Sequence, residues 1–107
     1  MHNPLNQSVL PIHIANLFAM GRRTALFPIA HELVAHQPKS ALTWYAVAVY
    51  YLMAMKMAEA KRFLAKCLTI DPNFPLAFIA FGLAMSAEGE HEHAISEFSA
   101  ANKLMPG

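Results

Sequence analysis

The chain has 107 residues, a formal net charge of +1, 56% hydrophobic residues and only 14% charged residues. Its length suits one small domain, and its scattered Lys and Arg residues form no basic patch that would indicate nucleic acid or anionic lipid as a partner. The apolar excess predicts that other protein surface covers part of this domain.

The cysteine count and the length of the uncharged windows indicate where in the cell the protein resides. The single cysteine, Cys67, has no intrachain disulfide partner, and no leader pattern with a cleavage site opens the chain. Two uncharged windows, residues 40–55 and 72–87, are sixteen residues long, whereas a bilayer core requires about 20 apolar residues. We therefore expect a protein of the nucleus or cytoplasm with no membrane span.

Prolines mark an internal repeat, since Pro4, Pro38, Pro72 and Pro106 recur at one constant interval. The interval matches the tetratricopeptide repeat, a pair of antiparallel helices of about 34 residues with the signature W-x2-L-G-x2-Y, A-x3-F and P. We therefore predict an all-α tetratricopeptide-repeat α-solenoid, in which about three helix-turn-helix repeats stack in a right-handed superhelix. We expect a single domain, 1–107, with a degenerate repeat at 7–40 and further repeats at 41–74 and 75–107.

The first repeat is degenerate, with helices predicted at 7–20 and 24–36. Its register places His13 at a core position and Leu26 where the signature requires a small residue. Gly21 falls between the two helices, where a residue in the left-handed conformation ends the first helix at little cost. The signature is therefore weakest in this repeat.

The second repeat fits the signature well, with helices predicted at 41–54 and 57–70. Ala48 and Ala60 are small where the two helices come close, which lets larger neighbours interlock. Met55 stands at the turn position that Gly21 holds in the first repeat, so we expect this turn to differ. The signature positions hold Trp44, Val47, Ala48 and Tyr51 on the first helix and Ala60, Leu64 and Cys67 on the second.

The third repeat copies this pattern, with helices predicted at 75–88 and 91–104. Gly82 and Ala94 occupy the two small positions, and Gly89 occupies the turn position. The strict helical register of the repeat therefore accounts for both uncharged windows, which are the first helices of the second and third repeats.

None of the reactive side chains forms a catalytic pattern. His31 and His36, in the segment HELVAH, are five residues apart and so about 140° apart around a helix, whereas zinc proteases use i and i+4. His91 and His93 lie in an acidic first helical turn, and Cys67 lies on an apolar face as a buried thiol. We predict no enzyme activity, no metal site and no cofactor. A metal-dependent hydrolase using the histidines is the alternative from a different functional class.

The functional surface is predicted on the concave side of the solenoid, which the first helices of stacked repeats line. Its mostly apolar residues would favour an apolar peptide or amphipathic helix, or another helix of a longer chain. A lysine and asparagine clamp that captures acidic chaperone tails is replaced there by apolar and aromatic residues, so a chaperone-tail adaptor is disfavoured. The candidate peptide-binding residues are Leu42, Tyr45, Val49, Leu52, Met53, Leu76, Ile79 and Leu83.

Beyond the generic repeat, several segments resemble one family. WYAVAVYYLM (44–53), AFG (80–82) and AEGEH (87–91) are similar to the central repeats of the cell-division-cycle-sixteen subunit of the anaphase-promoting complex, and the resemblance covers about residues 26–107. One departure is Leu83, where the family usually has a histidine.

The resemblance implies a scaffold without an active site inside a ubiquitin ligase that drives cell-cycle progression and mitosis. The family forms homodimers through the amino-terminal half of a longer superhelix, and its later repeats enclose a small, extended accessory subunit. By resemblance, Tyr45, Val49, Leu52, Ile79 and Leu83 would contact such an accessory peptide. The alternative is a generic repeat adaptor that binds an apolar peptide or helix of another partner.

The last helix is expected to leave apolar surface open, because no polar capping helix follows it. The residues concerned are Ile95, Phe98, Leu104 and Met105. Since the family has many more repeats, we expect a fragment or a divergent short relative that is marginally stable alone and prone to self-association.

Overall fold

A computed structural model describes residues 10–104 and shows six α-helices within that range. They are α1 (Leu10–Ala19), α2 (Arg23–His36), α3 (Ala41–Met53), α4 (Met57–Ile70), α5 (Pro75–Ala87) and α6 (His91–Leu104). Residues 10–104 contain no β-strand, which confirms the all-α class. Each helix after α1 begins and ends within one residue of its predicted bounds. The predicted start of the first helix, at residues 7–9, lies outside the described residues, and so does Met105.

The helices form a stack of helical hairpins. The closest pairs are α3 with α4 and α5 with α6, while α2 packs against α3 and α4 packs against α5, so that each hairpin contacts the next. The first helices also meet one another, since α1 touches α3 and α3 touches α5. The principal-axis extents of 43 × 29 × 24 Å describe an elongated molecule, as expected when repeats contact only their neighbours.

Small residues explain why two of the hairpins are closely packed. Ala48 and Ala60 are both 0% exposed at the crossing of α3 and α4, and Ala94 is 3% exposed on α6. Gly82 lies under the ring of Phe98, and a Cβ atom there would come within 2.8 Å of Cζ of that ring. A larger side chain at any of these positions would therefore push the paired helices apart.

The first hairpin is looser because large residues stand at the same positions. Ile14 and Leu26, one repeat before Ala48 and Ala60, are each 0% exposed, and α1 approaches α2 less closely than the helices of the other hairpins approach each other. The predicted core position of His13 is wrong, since the structure leaves this residue exposed. With α1 held away from α2, the imidazole faces solvent and avoids the cost of burial.

The three turns between paired helices share one backbone conformation. Gly21, Met55 and Gly89 have φ of 68°, 62° and 83°, so the expectation that the turn at Met55 differs is wrong. In each turn the amide of the following residue donates a hydrogen bond to the carbonyl five residues earlier, as in a Schellman motif. These bonds join Arg22 to Leu17 at 2.9 Å, Lys56 to Tyr51 at 2.9 Å and Glu90 to Met85 at 2.8 Å.

Two side chains at the start of α3 hold the linker that precedes it. Thr43 Oγ1 donates a hydrogen bond to the carbonyl oxygen of Gln37 at 2.5 Å, and Trp44 Nε1 donates to the carbonyl oxygen of Pro38 at 2.8 Å. The indole ring also stacks on Phe63 of α4, with ring centroids 5.8 Å apart and planes 9° apart. Nζ of Lys66 lies 3.7 Å from the centre of the indole ring, a cation–π contact.

The two uncharged windows contain α3 and α5, packed within the stack. No helix in residues 10–104 has the length and apolar content needed to cross a membrane. The predicted exposure of apolar side chains on the last helix is confirmed for three residues, since Ile95, Phe98 and Leu104 are 66%, 37% and 36% exposed.

Candidate interaction cleft

A cleft of about 710 Å³ lies on the side of the molecule where the first helices meet. It opens where α1, α3 and α5 end and where the turns into α2 and α4 begin. Apolar side chains dominate its walls, which suits a few apolar anchors of a protein partner. The lining residues are Phe18, Gly21, Arg23, Thr24, Leu52, Met53, Met55, Met57, Leu83 and Ala87.

Three of the eight predicted groove residues line this cleft, namely Leu52, Met53 and Leu83. Leu83 is 36% exposed and Met53 is partly exposed, whereas Leu52 is only 4% exposed and forms the floor. Leu76 and Ile79 are also partly exposed but lie outside the lining of the cleft. The cleft therefore occupies one end of the surface that the sequence indicated.

The other three predicted groove residues lie in the core and not on an open surface. Leu42, Tyr45 and Val49 are 3%, 4% and 1% exposed. The ring of Tyr45 packs on Phe74, with centroids 5.2 Å apart, and burial raises the pKa of its hydroxyl above the ordinary value. Side chains this well covered can support the cleft from below, and a direct binding role for them stays a prediction.

Sequence reasoning missed several lining residues, although the repeat register contained a signal for one of them. Phe18 lies one repeat before Leu52, so it occupies the same place on α1 that the leucine occupies on α3. Met55 and Met57 follow Met53 at alternate positions, and both also line the cleft. Because methionine is flexible and polarizable, the three together make a wall that can adapt to different apolar surfaces.

The cleft carries a positive charge at one edge of its rim. Among the described lining residues, Arg23 is the one charged side chain, and its guanidinium carbon lies 5.9 Å from the ring centre of Tyr50. Thr24 beside it adds a hydroxyl group. The cleft thus combines an apolar interior with a single cationic position at its rim, an arrangement suited to binding and not to acid–base chemistry.

Three histidines within residues 10–104 each contact a side chain four or five residues away in sequence. His36 Nε2 lies 3.1 Å from Glu32 Oε1 on the solvent side of α2, while His31 stacks on Phe27, with ring centroids 6.1 Å apart. His91 Nδ1 is 3.5 Å from Ser86 Oγ. Within residues 10–104, no group of three or more His, Cys, Asp or Glu side chains is arranged to hold a metal ion.

Cys67 is placed where the sequence predicted, on the inner face of α4, and it is 0% exposed. Burial, with a smaller contribution from the charge of Asp71, raises the pKa of its thiol to about 12. A thiol with this pKa is almost entirely protonated near neutral pH, and the thiolate is the nucleophilic form. The side chain therefore acts as a small core residue.

The chain is a tetratricopeptide-repeat solenoid. Three features define it as one: the hairpins recur with the interval of the prolines, small residues stand where paired helices cross, and the turns are left-handed. MamA from Desulfovibrio magneticus RS-1 has the same fold, with a TM-score of 0.67 and 17% sequence identity over 96% of this chain and 58% of that chain. No family model matches the chain.

The sequence relatives narrow this class. The chain is 41% identical over 105 residues to the anaphase-promoting complex subunit cut9 of Schizosaccharomyces pombe, covering 98% of this chain and 16% of the relative. It is 36% identical over 106 residues to the human cell division cycle protein 16 homolog, covering 98% and 17%. It is 33% identical over 106 residues to anaphase-promoting complex subunit CDC16 of Saccharomyces cerevisiae, covering 99% and 13%.

The structural comparison agrees with these relatives. The crystal structure of the APC/C hetero-tetramer Cut9–Hcn1 matches with a TM-score of 0.90 and 41% identity over 96% of this chain and 20% of that chain. The chain is therefore a homologue of the CDC16 and Cut9 subunits of the anaphase-promoting complex, which confirms the predicted resemblance. It spans 13% to 17% of the length of the three relatives named above.

Proposed function

We propose that the chain is a non-enzymatic scaffold segment of the anaphase-promoting complex, a ubiquitin ligase, and that it acts in cell-cycle progression by holding other protein subunits. The observation that carries this proposal is the match to Cut9, with 41% identity and a TM-score of 0.90 over 96% of the chain. A generic adaptor for another partner is not favoured, because the relatives reported above are all subunits of that complex.

The cleft supports a more specific role, the binding of an extended segment of a small accessory protein. Cut9 was crystallised in a hetero-tetramer with Hcn1, and a partner of that kind is the ligand we propose for this cleft. Its volume of about 710 Å³ is large enough for a few side chains, and Met53, Met57 and Leu83 would surround an apolar anchor. Arg23 at the rim would pair with a carboxylate of the ligand.

A segment exchange in fission yeast tests the scaffold proposal. The stretch of Cut9 that matches this chain would be replaced by the chain itself, in cells that depend on the chimera for growth. We expect the chimera to support division and to co-purify with the other subunits of the complex. A chimera that is expressed and folded but neither supports division nor recovers those subunits would contradict the proposal.

Binding of labelled Hcn1 to the purified chain tests the role of the cleft. We expect Met53→Glu and Leu83→Glu each to weaken binding by at least about tenfold, because each places a charge among apolar contacts at a cost of more than ~1.4 kcal/mol. Ile70→Glu is the matched control, since Ile70 is 42% exposed and lies outside the cleft lining. Equal binding by all three variants would rule out the cleft as the contact.

Two further properties belong to the same proposal. The chain resides in the nucleus or cytoplasm, which imaging of a fluorescent fusion in dividing cells would check. Copies of the chain also associate with one another, because large apolar side chains are exposed on α6 and at the end of α1, with Ile95 at 66% and Met20 at 62% exposure. Sedimentation at increasing protein concentration checks the second property, and a constant monomer mass would refute it.

A further inference from the structure

The third repeat contains a pocket of about 420 Å³ that shares no residue with the interaction cleft. It lies between the linker that precedes α5, the first turns of α5 and one face of α6. This volume falls in the range of roughly 300–1,000 Å³ that is usual for ligand pockets. The side chains that matter below are Pro72 of the linker, Phe78 of α5 and Ser96, Ala100 and Lys103 of α6.

The second repeat fills the corresponding place with its own side chains. Trp44, one repeat before Phe78, donates a hydrogen bond from Nε1 to the carbonyl oxygen of Pro38 at 2.8 Å. Nζ of Lys66, one repeat before Ala100, lies 3.7 Å from the centre of the indole ring. The second repeat therefore shows how an indole is held at this place, with a carbonyl oxygen accepting its N–H and an ammonium group over its face.

The third repeat keeps the linker proline but lacks the side chains that fill the place. Pro72 retains the carbonyl group, whereas Phe78 is smaller than tryptophan and has no N–H group to donate to it. On α6, Ser96 and Ala100 replace the two long cationic side chains that α4 has at these positions. These exchanges remove volume from both sides and leave the pocket open.

The pocket is open for a reason that is independent of the residues after α6. The positions of α4 that correspond to its α6 lining stay exposed, although α5 packs on α4. The same positions of α2 stay exposed, although α3 packs on α2. A following hairpin in the same registration would therefore leave this face of α6 uncovered. The α4 positions are Arg62, Ala65, Lys66, Thr69 and Ile70.

Lys103 supplies a cation for a ring bound in the pocket. It follows Ala100 by three residues, and so lies about one helical turn further along the same face of α6. It is exposed, and it makes no ion pair with any residue of the range 10–104. Its ammonium group is therefore available to lie over an aromatic face, as Lys66 does over Trp44.

We propose that this pocket binds the indole ring of a tryptophan presented by a protein partner. Nε1 of the bound indole donates a hydrogen bond to the carbonyl oxygen of Pro72, the ring packs on Phe78, and the ammonium group of Lys103 lies over its outer face. Because Ser96 and Lys103 at the rim are exposed, the polypeptide that carries the tryptophan has room to continue outside the pocket. The site goes beyond the function proposed above, since the cleft and its ligand take no part in it.

NMR titration of the isotopically labelled chain with N-acetyltryptophanamide, which resembles a tryptophan residue inside a polypeptide, tests the site. We expect saturable shifts of the amide signals of Asn73, Phe78 and Lys103. N-acetylleucinamide should bind at least about tenfold more weakly, because it has no aromatic ring. The analogue methylated at the indole nitrogen should bind about three- to tenfold more weakly, because it has no N–H group for the carbonyl of Pro72.

Substitutions that restore the residues of the second repeat should close the pocket. Phe78→Trp and Ala100→Lys should each weaken the binding of N-acetyltryptophanamide at least about tenfold, with a melting curve close to that of the wild type, since the second repeat has these residues at these positions. Phe27→Trp and Ala35→Lys are the matched controls, at exposed positions of α2 outside the pocket, and should leave binding unchanged. Lys103→Met should weaken binding about two- to fivefold, because it keeps the apolar stem and removes the cation.

Four outcomes would overturn the proposal. They are the absence of saturable binding, shifts that map to the cleft, equal binding of the leucine and tryptophan probes, and equal binding by the wild type and both filled variants. Free tryptophan should bind more weakly than N-acetyltryptophanamide, and tighter binding of the free amino acid would indicate a small metabolite and overturn the protein partner. The cleft is judged separately by Hcn1 binding to its own variants, so either site can fail without the other.

Discussion

Replacing Met55 by glycine should stabilise the chain, although the substitution removes a large apolar side chain. The residue has φ of 62°, a conformation that Gly21 and Gly89 supply at the corresponding turns. Its side chain is 73% exposed, so little buried contact is lost with it. The main effect is therefore on the backbone.

The size of the effect follows from two opposing backbone contributions. A residue with a Cβ atom is less stable in the left-handed conformation by roughly 1–2 kcal/mol. Glycine removes this strain, but about 0.5–1 kcal/mol of the gain in stability is lost, because glycine has more conformational freedom in the unfolded chain. We expect a net gain of about 0.5–1 kcal/mol in the free energy of unfolding, which corresponds to a rise of about 2–5 °C in Tm for a domain of this size.

Urea and thermal unfolding of matched variants would measure this gain. Met55→Ala keeps the left-handed strain and should show little of the gain. Ala54→Gly, at φ of −82° in the same turn, should lose stability. Gly89→Ala should also lose stability, even though no atom lies within 4 Å of the added Cβ. A Met55→Gly variant no more stable than Met55→Ala would refute the reasoning.

Three other predictions concern the core. Gly82→Ala should destabilise the chain by about 1 kcal/mol, because a crowding cost of roughly 1–3 kcal/mol against Phe98 exceeds the better helix propensity of alanine; pairing it with Phe98→Leu should recover most of the loss in a double-mutant cycle. Cys67 should react with a thiol reagent only after urea is added, since its pKa is raised to about 12, and fast labelling of folded chain would contradict its burial. Stability should fall as pH rises above about 9, where Cys67 ionises first in the unfolded chain. Tyr45, whose pKa is also raised by burial, adds to the fall at higher pH, and unfolding curves that coincide from pH 8 to 11 would exclude this linkage.

The helix bounds could be predicted from the sequence because the repeat period fixes every hairpin at once. The run AVAVYY has strong β propensity, yet it forms the middle of α3, since its place in the repeat decides which neighbours it meets. The turn at Met55 could not be predicted by residue type. Pairing of α3 with α4 and the hydrogen bond from Lys56 to Tyr51 impose the left-handed conformation on a residue that disfavours it.

The cleft was only partly predictable, because the register gives the direction of a side chain and not what covers it. Tyr45 occupies a predicted groove position, but Phe74 in the following linker packs over its ring. Phe18 was missed because the first repeat is degenerate. In that repeat, Ile14 and Leu26 hold α1 apart from α2. The size of the displacement depends on the volumes of the side chains packed between the two helices.

Trp44 makes the middle of the stack visible to spectroscopy. It is the single tryptophan of the chain, and its ring contacts Phe63 and Lys66 of the same hairpin while Nε1 bonds to the preceding linker. Its fluorescence therefore reports the opening of α3 from α4 and is insensitive to fraying of α1 or α6. If the ends of the stack melt first, circular dichroism will change at a lower temperature than the fluorescence, and the interval between the two signals measures how far the chain departs from cooperative melting.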